Sequence, residues 1–190
     1  MAILAFDQSI TRTGWALFDP SKDPSSMTVG SFTSAPRKNM DDEEKLETFG
    51  REIKRLFVRH KPDFVCWEKA QNIMRSYPKK GKKDLLGDTV DDGFTVNAAQ
   101  LILRDIQGQI RQSCIDWKAP WVCVTPGMWR ASVYGKGFGR LQKAESKAKA
   151  EEHCRLFGIA FKNNDEAEAA CIAMYASRCD WYRLRKERAA

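Results

Sequence analysis

The sequence predicts an α/β fold built on a mixed sheet of five strands, an antiparallel meander followed by parallel strands, with helices flanking it. Three observations predict it. Short apolar runs at residues 3–6 (ILAF), 63–67 (DFVCW) and 120–124 (PWVCV) are bounded by polar, turn-capable residues, the mark of strands covered on both faces. Helix-period segments separate these runs, and a strand, helix, strand passage normally makes a parallel crossover. Between the first run and the first helix, turn residues at Gln8-Ser9-Ile10 and over residues 19–26 punctuate two further strand-like stretches, a meander.

In order, residues 3–6 form the first strand and Asp7 emerges at its end. Residues 14–18 (GWALF) return antiparallel, and residues 27–33 are the third strand. From Asp41, Leu46, Phe49, Ile53, Leu56 and Phe57 recur at helical spacing, with acids in the first turn, Arg59, His60 and Lys61 in the last, and Pro62 as the stop. His60 reads as a helix C-terminal cation without a chemical role. The next strand ends in Glu68, so two carboxylates are expected at the C-terminal ends of neighbouring parallel strands, the edge where open α/β sheets bind ligands. Residues 69–94 carry Pro78, Gly81, Gly87 and Gly93 without a sustained period and read as a long mobile loop. A helix with a wide apolar face follows over 95–115, fit for the core or for a second subunit. After the strand at 120–124 come a basic stretch, a flexible Gly-Lys-Gly-Phe-Gly run at 135–139 and a helix at 143–157 with basic residues on one side. The last helix opens at residues 163–168, and the Arg- and aromatic-rich tail at 178–188 is either a solvated helix end or an accessory DNA contact.

Composition limits the function classes. A chain of 190 residues suits one domain, with 43% hydrophobic and 30% charged residues and no apolar run long enough to span a bilayer. The opening MAILAF lacks a basic leader and cleavage site, so export is not expected and a cytoplasmic location is. Cysteines at 66, 114, 123, 154, 171 and 179 include no Cys-x-x-Cys pair and read as reduced core residues rather than a zinc site. The 32 Lys and Arg against 25 Asp and Glu leave a net charge of +7. Two belts concentrate it: Lys69, Arg75, Lys79, Lys80, Lys82 and Lys83, then Arg130, Lys136, Arg140, Lys143, Lys147 and Lys149. Either belt alone is a solvated face as readily as a polyanion contact, but here they flank candidate acids.

Asp7 alone is explained by turn chemistry. Asp165 and Glu168, three residues apart, share a helix face, and Asp-x-x-Glu at a helix start is also the outline of a capping box with Asp165 as the cap. Taken together, Asp7 with the Gly14 hairpin, Glu68 ending a parallel strand, and Asp165-x-x-Glu168 opening the final helix resemble the RuvC-type Holliday junction resolvases, of the ribonuclease H-like superfamily. Thr125-Pro126, Trp129-Arg130, the Gly-rich loop and Lys147 look like the phage-type members.

The resemblance implies a ribonuclease H-like fold and a homodimeric endonuclease that resolves four-way junctions by metal-dependent hydrolysis, leaving 5′-phosphate and 3′-hydroxyl ends. Asp7, Glu68, Asp165 and Glu168 map onto four metal-binding carboxylates, the last an Asp in bacterial RuvC. Arg130 and Lys147 fall near two functional lysines, with Lys143 the rival for the second. Gln71 occupies the position of an aromatic residue that intrudes on junction bases, with Tyr77 a substitute from the same loop. Four carboxylates in one pocket repel, which a cation resolves, and all-oxygen ligands favour two Mg²⁺ ions, or Mn²⁺, over zinc. Both basic belts would track the DNA backbone, and the helix at 95–115 is the expected dimer contact. Three other readings stay open: a ribonuclease H-like nuclease acting on forks, flaps or RNA, a DNA-structure-binding module without catalysis, and an actin-like sugar kinase or ATPase, which needs two lobes where this chain supplies one.

Overall fold

The computed structural model describes residues 1–70, 76–78, 94–96 and 98–189. Its main sheet has the order β3-β2-β1-β4-β7, formed by β1 (Ile3–Asp7), β2 (Arg12–Phe18), β3 (Thr28–Thr33), β4 (Phe64–Glu68) and β7 (Trp121–Val124). The first three strands pair antiparallel as a meander, and β4 and β7 add in parallel to β1. The edge strand β7 is only partly covered, with Trp121 exposed, so the expectation of a third fully buried strand is corrected. Two short strands, β5 (Ser76–Pro78) and β6 (Phe94–Val96), pair antiparallel, with β5 and the first residue of β6 inside the stretch read as a long mobile loop. Thr95 thus belongs to a strand, and the following helix α2 spans Ala98–Asp116.

Side chains alternate across the sheet with a period of two, and this alternation divides the core. Leu4, Phe6, Val65 and Trp67 face α1 (Asp42–His60) and α2, meeting Phe49, Ile53, Phe57, Ile106 and Ile110. The apolar face of α2 is therefore used inside the domain through Ile102, Ile106, Ile110 and Cys114, and among the described residues Leu101 and Ile115 are the large apolar side chains it leaves exposed. Ile3, Ala5, Ala16, Phe64 and Cys66 face the opposite layer, made of α3 (Pro126–Tyr134), α4 (Lys143–Leu156) and α5 (Asn164–Arg178). Helix α3 was not foreseen. Thr125 precedes it and Pro126 occupies its first turn, where a missing N–H costs nothing.

The first helix forms as its sequence dictates. Asp41 accepts from the Glu44 N–H at 2.8 Å while the Glu44 carboxylate accepts from the Asp41 N–H at 3.2 Å, and Lys61 ends the helix in the left-handed conformation. His60, expected as a cation, stacks on Trp15 at 5.3 Å, and burial, with Arg59 beside it, lowers its pKa. Its neutral form is favoured, which corrects the cation reading.

Helix α5 is buried almost all round. Ala167, Ala169, Ala170, Ala173 and Ala176 bring its backbone close to the sheet, where larger side chains would hold it away. The tail forms α6 (Asp180–Ala189), docked by Tyr182, which meets Phe64 edge-on and donates to the Met1 carbonyl at 3.1 Å. All six cysteines are free, and burial raises the pKa of Cys66, Cys171 and Cys114, the last to about 12. Among the described residues no helix is long and apolar enough to cross a membrane.

Candidate active site

The strand period that divides the core also aims two acids the same way. Asp7 has the parity of Ile3 and Ala5, and Glu68 that of Phe64 and Cys66, so both carboxylates leave the sheet on the α5 face. The parallel register sets Phe6 against Trp67, and so brings the next residues, Asp7 and Glu68, to adjacent strand ends.

Gly14 brings the second pair of acids to them. It lies opposite Asp7 in the antiparallel register, and a Cβ built on it would overlap the backbone carbonyl of Asp165. Only a glycine lets the first turn of α5 rest on β2 there. The helix is capped by Asn163, whose side chain accepts from the Glu166 N–H at 3.1 Å. The capping-box reading, with Asp165 as cap and Glu168 reaching back, is thereby overturned. Asparagine at the cap leaves both acids free to project from the helix.

Asp7, Glu68, Asp165 and Glu168 line one recess of about 630 Å³, together with Arg130, Lys143 and Lys147. Three of the acids already have protein partners. The buried Trp129 donates its Nε1–H to Glu68 at 2.8 Å, Ser146 donates to Glu168 at 2.9 Å, and Lys147 Nζ lies 3.3 Å from Asp165. Arg130 stacks over the Trp129 ring and stands 3.9 Å from Glu168. Asp7 is half-buried at the recess and has no hydrogen-bond donor among the described residues.

Burial raises the pKa of Asp7, and the charges of Glu168, Glu68 and Asp165 push it further up, against Lys147. Glu68 is raised by burial, opposed by the Trp129 hydrogen bond and Arg130, and Glu168 by burial, opposed by Ser146, Arg130 and Lys147. Arg12, Arg130, Lys143 and Lys147 line the recess beside the four acids, but only Lys147 opposes the upward push on Asp7. Carboxylate oxygens alone, converging on an under-compensated acid, fit a hard divalent cation. As placed, among the described residues, no three acids already stand in metal-holding geometry. Their present rotamers satisfy Trp129, Ser146, Lys147 and Arg130 instead.

Around these acids sit residues that sequence reasoning missed. The amides of Gln8 and Gln107 both donate to the Glu68 carbonyl, the latter at 2.9 Å, and hold the end of β4. Ser146 carried no signal, and Trp129 none beyond its place beside Arg130 in the resemblance, because the acids they meet lie 22 and 61 residues away. Glu166 is buried as an anchor, accepting from Ser31 at 2.9 Å and from the Lys162 N–H at 2.8 Å.

The second basic belt separates into two parts. Arg130, Lys143 and Lys147 reach the recess, while Lys136 and Arg140 are exposed outside it. Lys149 turns away to Glu152 at 2.8 Å and lies over Phe138, so the basic residues of α4 do not share one side. Gly135 and Gly137, at φ of 103° and 99°, reverse the chain between α3 and α4. Of the first belt, Lys69 is half-buried directly after Glu68, and Tyr77 lies on β5. Gln71, Arg75, Lys79, Lys80, Lys82 and Lys83 lie outside the described residues.

No family model and no curated protein matches the chain. Solved structures do. Thermus thermophilus RuvC aligns over 98% of this chain and 97% of its own at 15% identity and a TM-score of 0.62. T. thermophilus RuvC in complex with a Holliday junction substrate aligns over 97% and 95% at 14% identity and a TM-score of 0.62. The yeast mitochondrial Holliday junction resolvase Ydc2 aligns over 97% and 82% at 11% identity and a TM-score of 0.53. The likeness is one of architecture, and the chain has the ribonuclease H-like fold of the RuvC-type Holliday junction resolvases.

Proposed function

We propose that the chain is a metal-dependent endonuclease that resolves branched DNA, four-way junctions above all, by hydrolysing phosphodiesters to 5′-phosphate and 3′-hydroxyl ends. One observation carries the reading: four carboxylates from β1, β4 and α5 line a single recess walled by Arg130, Lys143 and Lys147. Asp7, Glu68, Asp165 and Glu168 would hold Mg²⁺, two ions per site, with Mn²⁺ able to replace it. Such ions, when bound, supply an activated water and stabilise charge on the leaving oxygen.

The chain's own groups supply the positioning. Trp129 engages one oxygen of Glu68 and Ser146 one oxygen of Glu168, leaving the other oxygen of each to turn to an ion, and the Gln8 and Gln107 amides hold the strand end that carries Glu68. Arg130 and Lys147 place positive charge where negative charge grows on the phosphate, the use of cations that most lowers a phosphoryl-transfer barrier. Lys147 contacts Asp165 and Lys143 lines the same recess one helical turn away, so Lys147 is the better placed of the two to act. Lys143 then serves the incoming backbone. Among the structural neighbours, T. thermophilus RuvC has been solved with a Holliday junction substrate, which supports junctions as the substrate class. Cutting two strands symmetrically calls for two sites related by a dyad, and the exposed Leu101 and Ile115 on α2, with Trp117 just beyond, offer the apolar contact.

The test is a panel of labelled immobile four-way junction, fork, flap, linear duplex and RNA–DNA hybrid, incubated with Mg²⁺. Paired, symmetric nicks on the junction in preference to every other substrate are the expected result. Equal cutting of forks, flaps or hybrid would replace junction resolution with the broader nuclease reading.

A further inference from the structure

Far from the carboxylates, a second surface has a chemistry of its own. Phe64, Pro120 and Trp121, at the starting ends of β4 and β7, meet Trp181, Leu184, Arg185 and Arg188 of α6 around a slot of about 170 Å³. The carboxylate recess lies at the other end of the same strands. From Phe64 to Glu68 the strand covers roughly 13 Å at about 3.3 Å per residue.

The α6 residues fall at i, i+3, i+4 and i+7, one continuous helix face. Such a stripe ordinarily packs into a core. Here Tyr182 does the docking instead, and the stripe stays open, with Trp181 68%, Leu184 50% and Trp121 37% exposed. No carboxylate lines the slot, and neither Arg185 nor Arg188 has an ion-pair partner among the described residues. Arg183, by contrast, stands 3.8 Å from Asp180.

We infer that this slot is a second nucleic-acid contact, which takes an unpaired stretch of strand with a base stacked on the indoles and its phosphates on Arg185 and Arg188. A slot this small suits one flat ring, and base stacking on Trp is indifferent to sequence because every base has a π-face. The two guanidiniums on neighbouring helix turns suit successive phosphates. An apolar peptide would bury the indoles but leave both cations unanswered at the rim. The identity of the occupant rests on the nuclease reading, since a protein that opens branched DNA handles unpaired strand.

The experiment uses the full chain and a fluorescein-labelled oligothymidine, followed by anisotropy across a KCl series and by quenching of Trp emission, with folding checked by thermal melting. Trp181→Ala is expected to weaken binding about tenfold. Arg185→Ala/Arg188→Ala is expected to shrink the slope of log affinity against log salt by about 1.4, two contacts at about 0.7 each for single strands. Trp121→Phe/Trp181→Phe is expected to lose most of the quench. Unchanged affinity, slope and quench would overturn the inference, as would a shift in sedimentation of these variants without a change in DNA binding, which would make the slot a protein interface. Junction cutting by the same variants, measured at saturating DNA, separates the two ideas: retained cutting with unchanged oligothymidine binding removes this site and leaves the nuclease standing.

Discussion

Helices α1 and α5 begin with the same pattern and use it in opposite ways. At α1, Asp41 and Glu44 are spent on each other's backbone, and neighbouring acids pair with Lys45 and Arg51 on the outer face of the same helix. At α5, Asp165 and Glu168 stand in the same Asp-x-x-Glu relation, yet Asn163 does the capping and the acids turn to Lys147, Ser146, Arg130 and the Asp7 recess. One cluster is local and stabilises a helix end. The other is tertiary, and its crowding is a cost the fold bears for the sake of the site.

The sharpest way to break the comparison is to neutralise matching acids. Glu168→Gln is expected to reduce junction cutting by at least about a hundredfold, the scale of losing one transition-state contact, whereas Glu44→Gln leaves cutting rates unchanged. Single-turnover kinetics with Mg²⁺ would read both, and a mild effect of Glu168→Gln would return that acid to a structural role. Next in size is Gly14→Ala. Its Cβ must displace the first turn of α5, so a loss of about 3 kcal/mol in urea unfolding is expected, along with cutting. An unaffected midpoint would mean that α5 does not rest on β2 as described.

Removing the caps sharpens the contrast. Asp41→Ala and Asn163→Ala should each cost about 1 kcal/mol, but only Asn163→Ala should also slow cutting, because only there does the cap position the acids. Smaller still is a pH effect far from the recess. Burial lowers the pKa of His60 below its usual 6.5, so the unfolded chain takes up the proton first. Stability is then complete above pH 6.5 and falls as pH drops through the window between that value and the lower folded one. His60→Gln should flatten that part of the denaturation profile, and an unaltered slope would contradict the half-buried, neutral assignment.

The same contrast explains how much could be read from the chain. The strands at residues 3–7, 64–68 and 121–124, their parallel crossover and the placing of Asp7 and Glu68 at neighbouring strand ends were legible because apolar runs and the residues that end them are local signals. That Asp165 does not cap its helix was not legible from the residue pattern. A D-x-x-E pattern reads identically at 41–44 and 165–168, and what separates them is Asn163 at the cap and Gly14, some 150 residues earlier, which makes room for the helix. The bonds of Trp129 to Glu68 and of Ser146 to Glu168 were invisible for the same reason, since each acid arrives from another element. Helix α3 was missed because its run opens with Thr-Pro-Gly, residues that read as a turn before they read as a cap.

Binding of Mn²⁺ by the full chain, followed by electron paramagnetic resonance of the free ion without DNA, tests most directly whether the four acids act as one nest. The expected result is tight binding by the native chain, weakened at least tenfold by Asp7→Asn and by Glu168→Gln alike, and unaltered by Glu44→Gln. Equal Mn²⁺ binding by all four proteins would contradict it, and would leave Asp7, Glu68, Asp165 and Glu168 as neighbours without a common ion.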